Sequence, residues 1–198
     1  MKILKKIAIA LATIILLFAI ISFFLPSKAH VERSLVINAP AQIIFNQVNN
    51  LKKWEKWSPW EKLDPQMKSS YEGPEAGVGA KHSWQSENRN VGSGNMTITS
   101  VVPNQDIQIA MDFMEHGTAI GAFKFDNAVG GTKVTWSMKS DMGMNPVKKF
   151  FGLMMDKMVG NDFEKGLNSL KEIAEGMPVP PTMPSDSTSV DSTAVMQK

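Results

Sequence analysis

Residues 145–175, NPVKKFFGLMMDKMVGNDFEKGLNSLKEIAE, decide the fold. Asn145 is a good helix cap and Pro146 a good first-turn residue, since proline lacks the N–H that a helix start leaves unpaired anyway. Phe151, Met154, Met155, Met158, Phe163, Leu167 and Leu170 recur at helical spacing. The segment is therefore predicted to be one helix of about 30 residues, roughly 45 Å long. Gly152, Gly160 and Gly166 each weaken such a helix by about 1 kcal/mol relative to alanine, which points to a bend or to close approach of a neighbouring element. A helix this long must bury its apolar stripe against another layer.

The layer lies just upstream. Residues 80–87, 94–102, 106–114, 119–127 and 132–141 read as extended segments separated at short intervals by turn residues such as Pro103 with Asn104 and Gly130 with Gly131. That spacing predicts an antiparallel meander. Alternation assigns one face to Ala80, His82 and Trp84, to Met96, Ile98 and Ser100, to Ile107, Ile109, Met111 and Phe113, to Gly121, Phe123 and Phe125, and to Val134, Trp136 and Met138. Lys81, Gln85, Thr97, Gln108, Lys124, Lys133 and Lys139 occupy the alternate positions. One face of the sheet is apolar and the other wet, and the long helix is expected across the apolar one.

Further upstream, HVERSLVI (30–37) reads as an edge or outer strand with Val31, Arg33, Leu35 and Ile37 on one face. Asn38, Ala39 and Pro40 supply a cap and a start for the helix AQIIFNQVNNL, and WEKWSPW (54–60) follows it. Trp54 and Trp57 share a face of that short turn, and Pro59 ends it by biasing Ser58 out of the helical region. The glycines of YEGPEAGVGA then mark a turn region.

Strand, short helices with a Trp-rich turn, several antiparallel strands and a long terminal helix is the element order of the helix-grip fold. The sequence resembles the SRPBCC superfamily of polyketide cyclases, START lipid-transfer domains and pollen-allergen-like proteins. VERSLVINAPAQIIFNQVNNLKKWEKWSPW and the closing KMVGNDFEKGLNSLK carry the likeness, over roughly residues 31–175. The resemblance implies an α+β architecture, a curved antiparallel sheet wrapped around the C-terminal helix, with a deep apolar cavity between them. A shared fold says little about activity.

Two segments lie outside that likeness. Lys2, Lys5 and Lys6 precede an uncharged run from Ile7 to Leu25 that Pro26 closes. At about 1.5 Å per residue the run spans roughly 28 Å as a helix, close to the hydrocarbon thickness of a bilayer. It is expected to be a transmembrane anchor, with the basic N-terminus in the cytoplasm and the rest outside it, periplasmic or at the cell surface in a bacterium. The alternative is a cleaved signal peptide, with secretion after cleavage near Ala29, although secretory apolar cores are usually shorter. The last segment, 177–198, is half Pro, Ser and Thr without aromatics, and is expected to be disordered. The expected division is an anchor at 1–27, a helix-grip domain at 28–176 and the tail.

Composition excludes several function classes. The net charge of +2 is spread over mixed signs, so no nucleic-acid partner is expected. With no cysteine there is no disulfide, thiolate nucleophile or Cys-based metal site, and the three histidines show no ligand spacing with carboxylates. No metal and no cofactor are expected. Of the 14 methionines, nine fall between Met96 and Met158. Their flexible thioethers suit either a cavity that accepts variable apolar ligands or a solid core that needs filler.

His82 is the one histidine on the apolar strand face, and without an orienting partner it reads as a structural residue rather than a catalyst. Glu115 and His116 read as a solvated turn, and no catalytic residue is assigned. The site expected from the strands comprises His82, Trp84, Met96, Ile98, Met111, Phe113, Phe123, Trp136 and Met138. Trp54, Trp57 and Trp60 join it as a packed turn, a lid or, with Lys52, Lys53 and Lys56, a membrane-surface contact, and Phe151, Met154, Met155 and Met158 join it from the helix. The expected function is binding of an apolar small molecule or lipid by a membrane-tethered domain, with any protein partner unknown. The alternatives are a cyclase or dehydratase, which needs an ionisable cluster in the cavity, and a ligand-free interaction module with a filled core.

Overall fold

The structure, a computed structural model, describes residues 2–114 and 117–178. The turn at Glu115 and His116 and the tail from residue 179 onward lie outside the described residues. Helix α1 (Lys2–Phe24) precedes β1 (Lys28–Ile37), α2 (Ala41–Val48), a 3₁₀ turn (Leu51–Lys56) and α3 (Pro59–Leu63). Six strands follow: β2 (Lys68–Glu72), β3 (Lys81–Gln85), β4 (Ser93–Val102), β5 (Asp106–Asp112), β6 (Thr118–Ala128) and β7 (Gly131–Asp141). Helix α4 (Pro146–Glu175) closes the fold, and Asn145 caps it by accepting from the Val147 and Lys148 amides.

All strands pair antiparallel in the order β1-β7-β6-β5-β4-β3-β2, so the meander is continuous and β1 returns to its far edge. The β6–β7 turn is Gly130-Gly131. Gly131 has φ +135, and a Cβ on it would collide with the Ile37 carbonyl, so the place admits no side chain. In β4, Ile98 pairs with Ile109 and Ser100 with Gln108, leaving Thr99 as an extra residue. This bulge bends the strand and exchanges its faces, so Val101, not the expected Ser100, packs against the core.

Sequence reasoning missed β2. KSSYE has no apolar alternation, being an edge strand held by backbone pairing to β3. The start of α2 also differs: Pro40 occupies the cap position without a side-chain bond, and the Asn38 amide instead donates to Glu175 Oε1 at 2.8 Å.

Helix α4 runs parallel to β1, with Gly152 beside Ala29, Gly160 against Arg33 and the helix end at Asn38. Arg33 donates to Asp156 at 2.8 Å and to Glu164 at 2.7 Å. Those bonds raise the guanidinium's already high pKa and hold the Asp156 carboxyl below the usual carboxylate range. The pairs are solvent-exposed, so they fix helix register more than they add stability.

The helix is continuous, and its three interior glycines each stand in close approach to a neighbouring element. A Cβ on Gly166 would lie 2.7 Å from the Trp136 ring and 3.3 Å from Pro59. Gly166→Ala is expected to destabilise the fold by about 1–3 kcal/mol through overpacking, partly offset by the about 1 kcal/mol that alanine favours a helix interior. A urea titration measures it, and a stabilised variant would show that Trp136 yields freely.

Candidate functional site

The core fills the sheet end that carries α2 and the 3₁₀ turn, where Ile44, Val48, Leu51, Phe123 and Phe125 are buried. Trp54 and Trp57 belong to this core. Their indole N–H groups donate to the Val48 carbonyl at 2.9 Å and the Gln47 carbonyl at 3.4 Å. Their rings form one aromatic cluster with Phe123 and Trp136. The tryptophan turn is thus chiefly a packing element, with Trp60 at its outer edge against Trp136 and Phe163.

Towards the other end of the sheet the packing opens into a cavity of ≈ 240 Å³. The structure brings Trp54, Trp60, His82, Trp84, Met96, Met111, Phe113, Trp136 and Met138 together around it. Ile98, Phe123 and Trp57 are fully buried behind these walls and do not reach it. Met155 packs against the core without lining the cavity.

Phe151, Met154 and Met158 were expected inward and are exposed instead. At about 100° per residue, Phe151 and Phe163 lie about 120° apart around the helix, so one apolar list contains two different faces. Only Phe163, with Leu167 and Leu170, belongs to the buried face. The helix presents Val159 and Phe163 to the cavity.

The walls that sequence reasoning did not include are Ser58, Glu61, Met67, Asn90, Val91, Ile109, Gly121, Val159 and Phe163. Ile109, Gly121 and Phe163 were legible as inward residues. Glu61 lies in the short helix α3 and Met67 just before the unrecognised β2, and Asn90 and Val91 lie in a loop without periodicity.

His82 is one of the polar residues that line the cavity. It is 2% exposed, stacks on Tyr71 at 4.7 Å and shares a hydrogen bond with Ser69 Oγ at 3.0 Å through Nε2. Its Nδ1 is buried and unpartnered. Burial lowers its pKa, with Glu55 acting weakly the other way, so the ring is neutral near pH 7. Tyr71 donates to Glu55 Oε1 at 2.9 Å, and burial followed by that bond raises its pKa. Burial, then Glu55, also raises the pKa of Glu61.

These shifts set a pH dependence. A histidine held below its ordinary value is protonated more readily in the unfolded chain, so its stability contribution is intact above about pH 6.5 and falls on acidification. The drop in urea midpoint on acidification below that value is expected to shrink in His82→Gln. An unchanged drop would place the titration elsewhere.

A broader hollow of ≈ 780 Å³ lies on the sheet's outer face, lined by Lys28, His30, Asp112, Lys139 and Asp141 among others. Its lining residues all come from strands and it stands more open than the inner cavity, so among the described residues it lacks the enclosure a small-molecule site needs. Among the described residues no three His, Asp or Glu side chains gather as a metal site would require.

A curved antiparallel sheet, a long C-terminal helix and an apolar cavity between them define a helix-grip protein. The chain belongs to the polyketide cyclase / dehydrase and lipid transport family, whose pattern matches residues 28–175, and thereby to the SRPBCC superfamily. No curated protein matches the sequence significantly.

Among solved structures it is similar to a protein of Chromobacterium violaceum, at 14% identity and TM-score 0.55, over 75% of this chain and 99% of that one. It is also similar to a protein of unknown function from Staphylococcus aureus, at 12% identity and TM-score 0.55, over 74% and 95% of the two chains. The di-domain ARO/CYC StfQ from the steffimycin biosynthetic pathway matches at 10% identity and TM-score 0.58, over 75% of this chain and 51% of that one. At such identities the likeness establishes the fold alone.

Proposed function

We propose that the protein binds one apolar small molecule, or one acyl chain of a lipid, in the cavity between the sheet and α4. The observation that carries this reading is a cavity of ≈ 240 Å³ walled mainly by Met, Trp and Phe, with His82, Glu61 and Asn90 among its few polar lining residues. Burial of an apolar ligand body against these walls supplies the affinity, and the few polar lining groups orient a ligand that carries one polar group.

Volume narrows the class. A cavity of about 150 Å³ holds benzene, and ligand pockets usually start near 300 Å³. At ≈ 240 Å³ the site fits a compact ring system or a single short chain, and a two-chain lipid is too large to be enclosed whole.

In this reading residues 1–27 anchor the binding domain, 28–176, outside the cytoplasm, and 177–198 form a tail. The apolar length of α1 and the three lysines in its first turns support the anchor, with a signal sequence as the alternative. Saturating the full chain in micelles with naphthol or decanoic acid is expected to shift the His82 ring-nitrogen resonances in nitrogen NMR. Resonances that ignore both probes while the cavity walls also stay unperturbed would refute the site.

A second reading has its own observation. Glu61, with its raised pKa, and neutral His82 both line the cavity, the acid and base that a cyclase or dehydratase needs. It predicts that Glu61→Gln abolishes turnover of a polyketide-like substrate while leaving its binding intact.

A further inference from the structure

Helix α4 changes character halfway along its outward face. Val147, Phe151, Met154 and Met158 follow one another at spacings of four, three and four, which places them on one side of the helix. The same seam continues as Asn161, Lys165, Asn168 and Glu172, all exposed and polar. The first four, with Met144 ahead of them, are 48% to 75% exposed, on the far side of the helix from the buried Phe163, Leu167 and Leu170. An outward helix face in water is normally polar, as the second half is. The first half breaks that rule over about 18 Å, at 1.5 Å per residue.

The apolar half lies against the end of α1. Phe18 stacks on Phe150 at a centroid distance of 4.3 Å. Lys149 is buried, and its ammonium donates to the Ser22 carbonyl at 3.2 Å. The same carbonyl accepts from the Leu25 amide at 3.3 Å, and the ammonium adds a second bond at the negative end of α1. These contacts fix the start of α4 to the last turns of a helix long enough to cross a bilayer. Lys148 and Lys157 flank the apolar stripe on either side, the arrangement of a helix lying in a membrane interface.

The cavity opens towards the same end. Asn95 pairs with Asp112, Asp112 with Thr118, Ala119 with Ser140 and Asp141 with Lys28, so the β3–β4 and β5–β6 loops stand level with the start of β1. Asn90 and Val91 of the first loop and Phe113 of the second wall the cavity. Gly117 of the second loop adjoins the Lys148 side chain, and Met114 beside it is exposed.

We infer that the first half of α4 is a membrane-interface element that docks the domain onto the bilayer surface beside α1, with the cavity mouth facing lipid. The ligand then enters from the acyl region and not from water. The inference rests on the proposal that α1 spans the membrane.

The chain has no cysteine, so single-cysteine variants label cleanly. The full chain is reconstituted in phosphatidylcholine–phosphatidylglycerol bilayers with a bimane label at Met154→Cys, at Leu11→Cys within α1, or at Val129→Cys in the β6–β7 turn at the opposite end of the sheet. Quenching by lipid-borne nitroxides and by aqueous iodide is then compared. The expected result is Met154 quenched several-fold more by shallow acyl nitroxides than by iodide, Leu11 quenched by deep nitroxides, and Val129 quenched by iodide alone.

A Met154 label that behaves like Val129 while Leu11 reports lipid overturns the docking and leaves the anchor standing. A Leu11 label open to iodide overturns the anchor and the docking with it. A Met154 label shielded from both quenchers overturns the inference in favour of a protein cover.

Discussion

Trp136→Ala is expected to lower folding stability by about 3–5 kcal/mol, the usual cost of deleting a large buried ring and leaving its cavity. Trp136 is 3% exposed and stands where sheet, tryptophan turn and helix meet. Its indole stacks on Phe163 of α4 at 4.1 Å and 5°, and on Phe123 of β6 at 4.9 Å. Trp54, Trp57 and Trp60 meet it edge to face at 5.6 to 6.0 Å. Such aromatic pairs add to the area they bury, so their loss compounds the transfer and cavity costs. Urea unfolding of the full chain in micelles measures the effect. A loss below about 1 kcal/mol, the scale of an ordinary surface change, would show that α4 is held by something other than this cluster.

Met111→Trp is expected to abolish ligand retention while leaving the fold intact. Met111 lines the cavity from β5, and its methyl group lies 2.9 Å from where a Cβ on Gly121 would stand, filling the notch that glycine leaves. An indole at this position extends into the ≈ 240 Å³ void instead of into packed neighbours. Excluding a ligand that buries roughly 100 Å² of apolar surface forfeits about 2.5 kcal/mol, near a hundredfold in affinity. If Met111→Trp retains ligand as the wild type does, the ligand lies elsewhere.

The fold was legible because most elements carry their own period. The meander showed through residues such as Ile107, Ile109 and Met111 alternating with Gln108, and the cap pair Asn145 and Pro146 announced α4. Where no period exists nothing was legible: β2 is a polar edge strand, and the Asn90–Val91 wall of the cavity is a loop.

The helix misled for a different reason. Phe151, Met154 and Met158 are apolar at helical spacing, as Phe163, Leu167 and Leu170 are, and periodicity does not say which stripe meets the sheet. The glycines are the better guide, since Gly160 and Gly166 mark the side that approaches Arg33 and Trp136. His82 was found by its place on the strand face. Its unpartnered Nδ1, and the place of Glu61 in the same cavity wall, emerge only from three-dimensional packing.

The central claim is that the space between sheet and helix holds an apolar ligand. Native mass spectrometry of the full chain released from micelles, with solvent extraction of bound species, tests it most directly. The account predicts an extractable apolar adduct on the wild type, or one that forms on incubation with naphthol or decanoic acid, and none on Met111→Trp. A wild-type chain that keeps its bare mass through the same incubations would contradict it and favour an interaction module with no ligand.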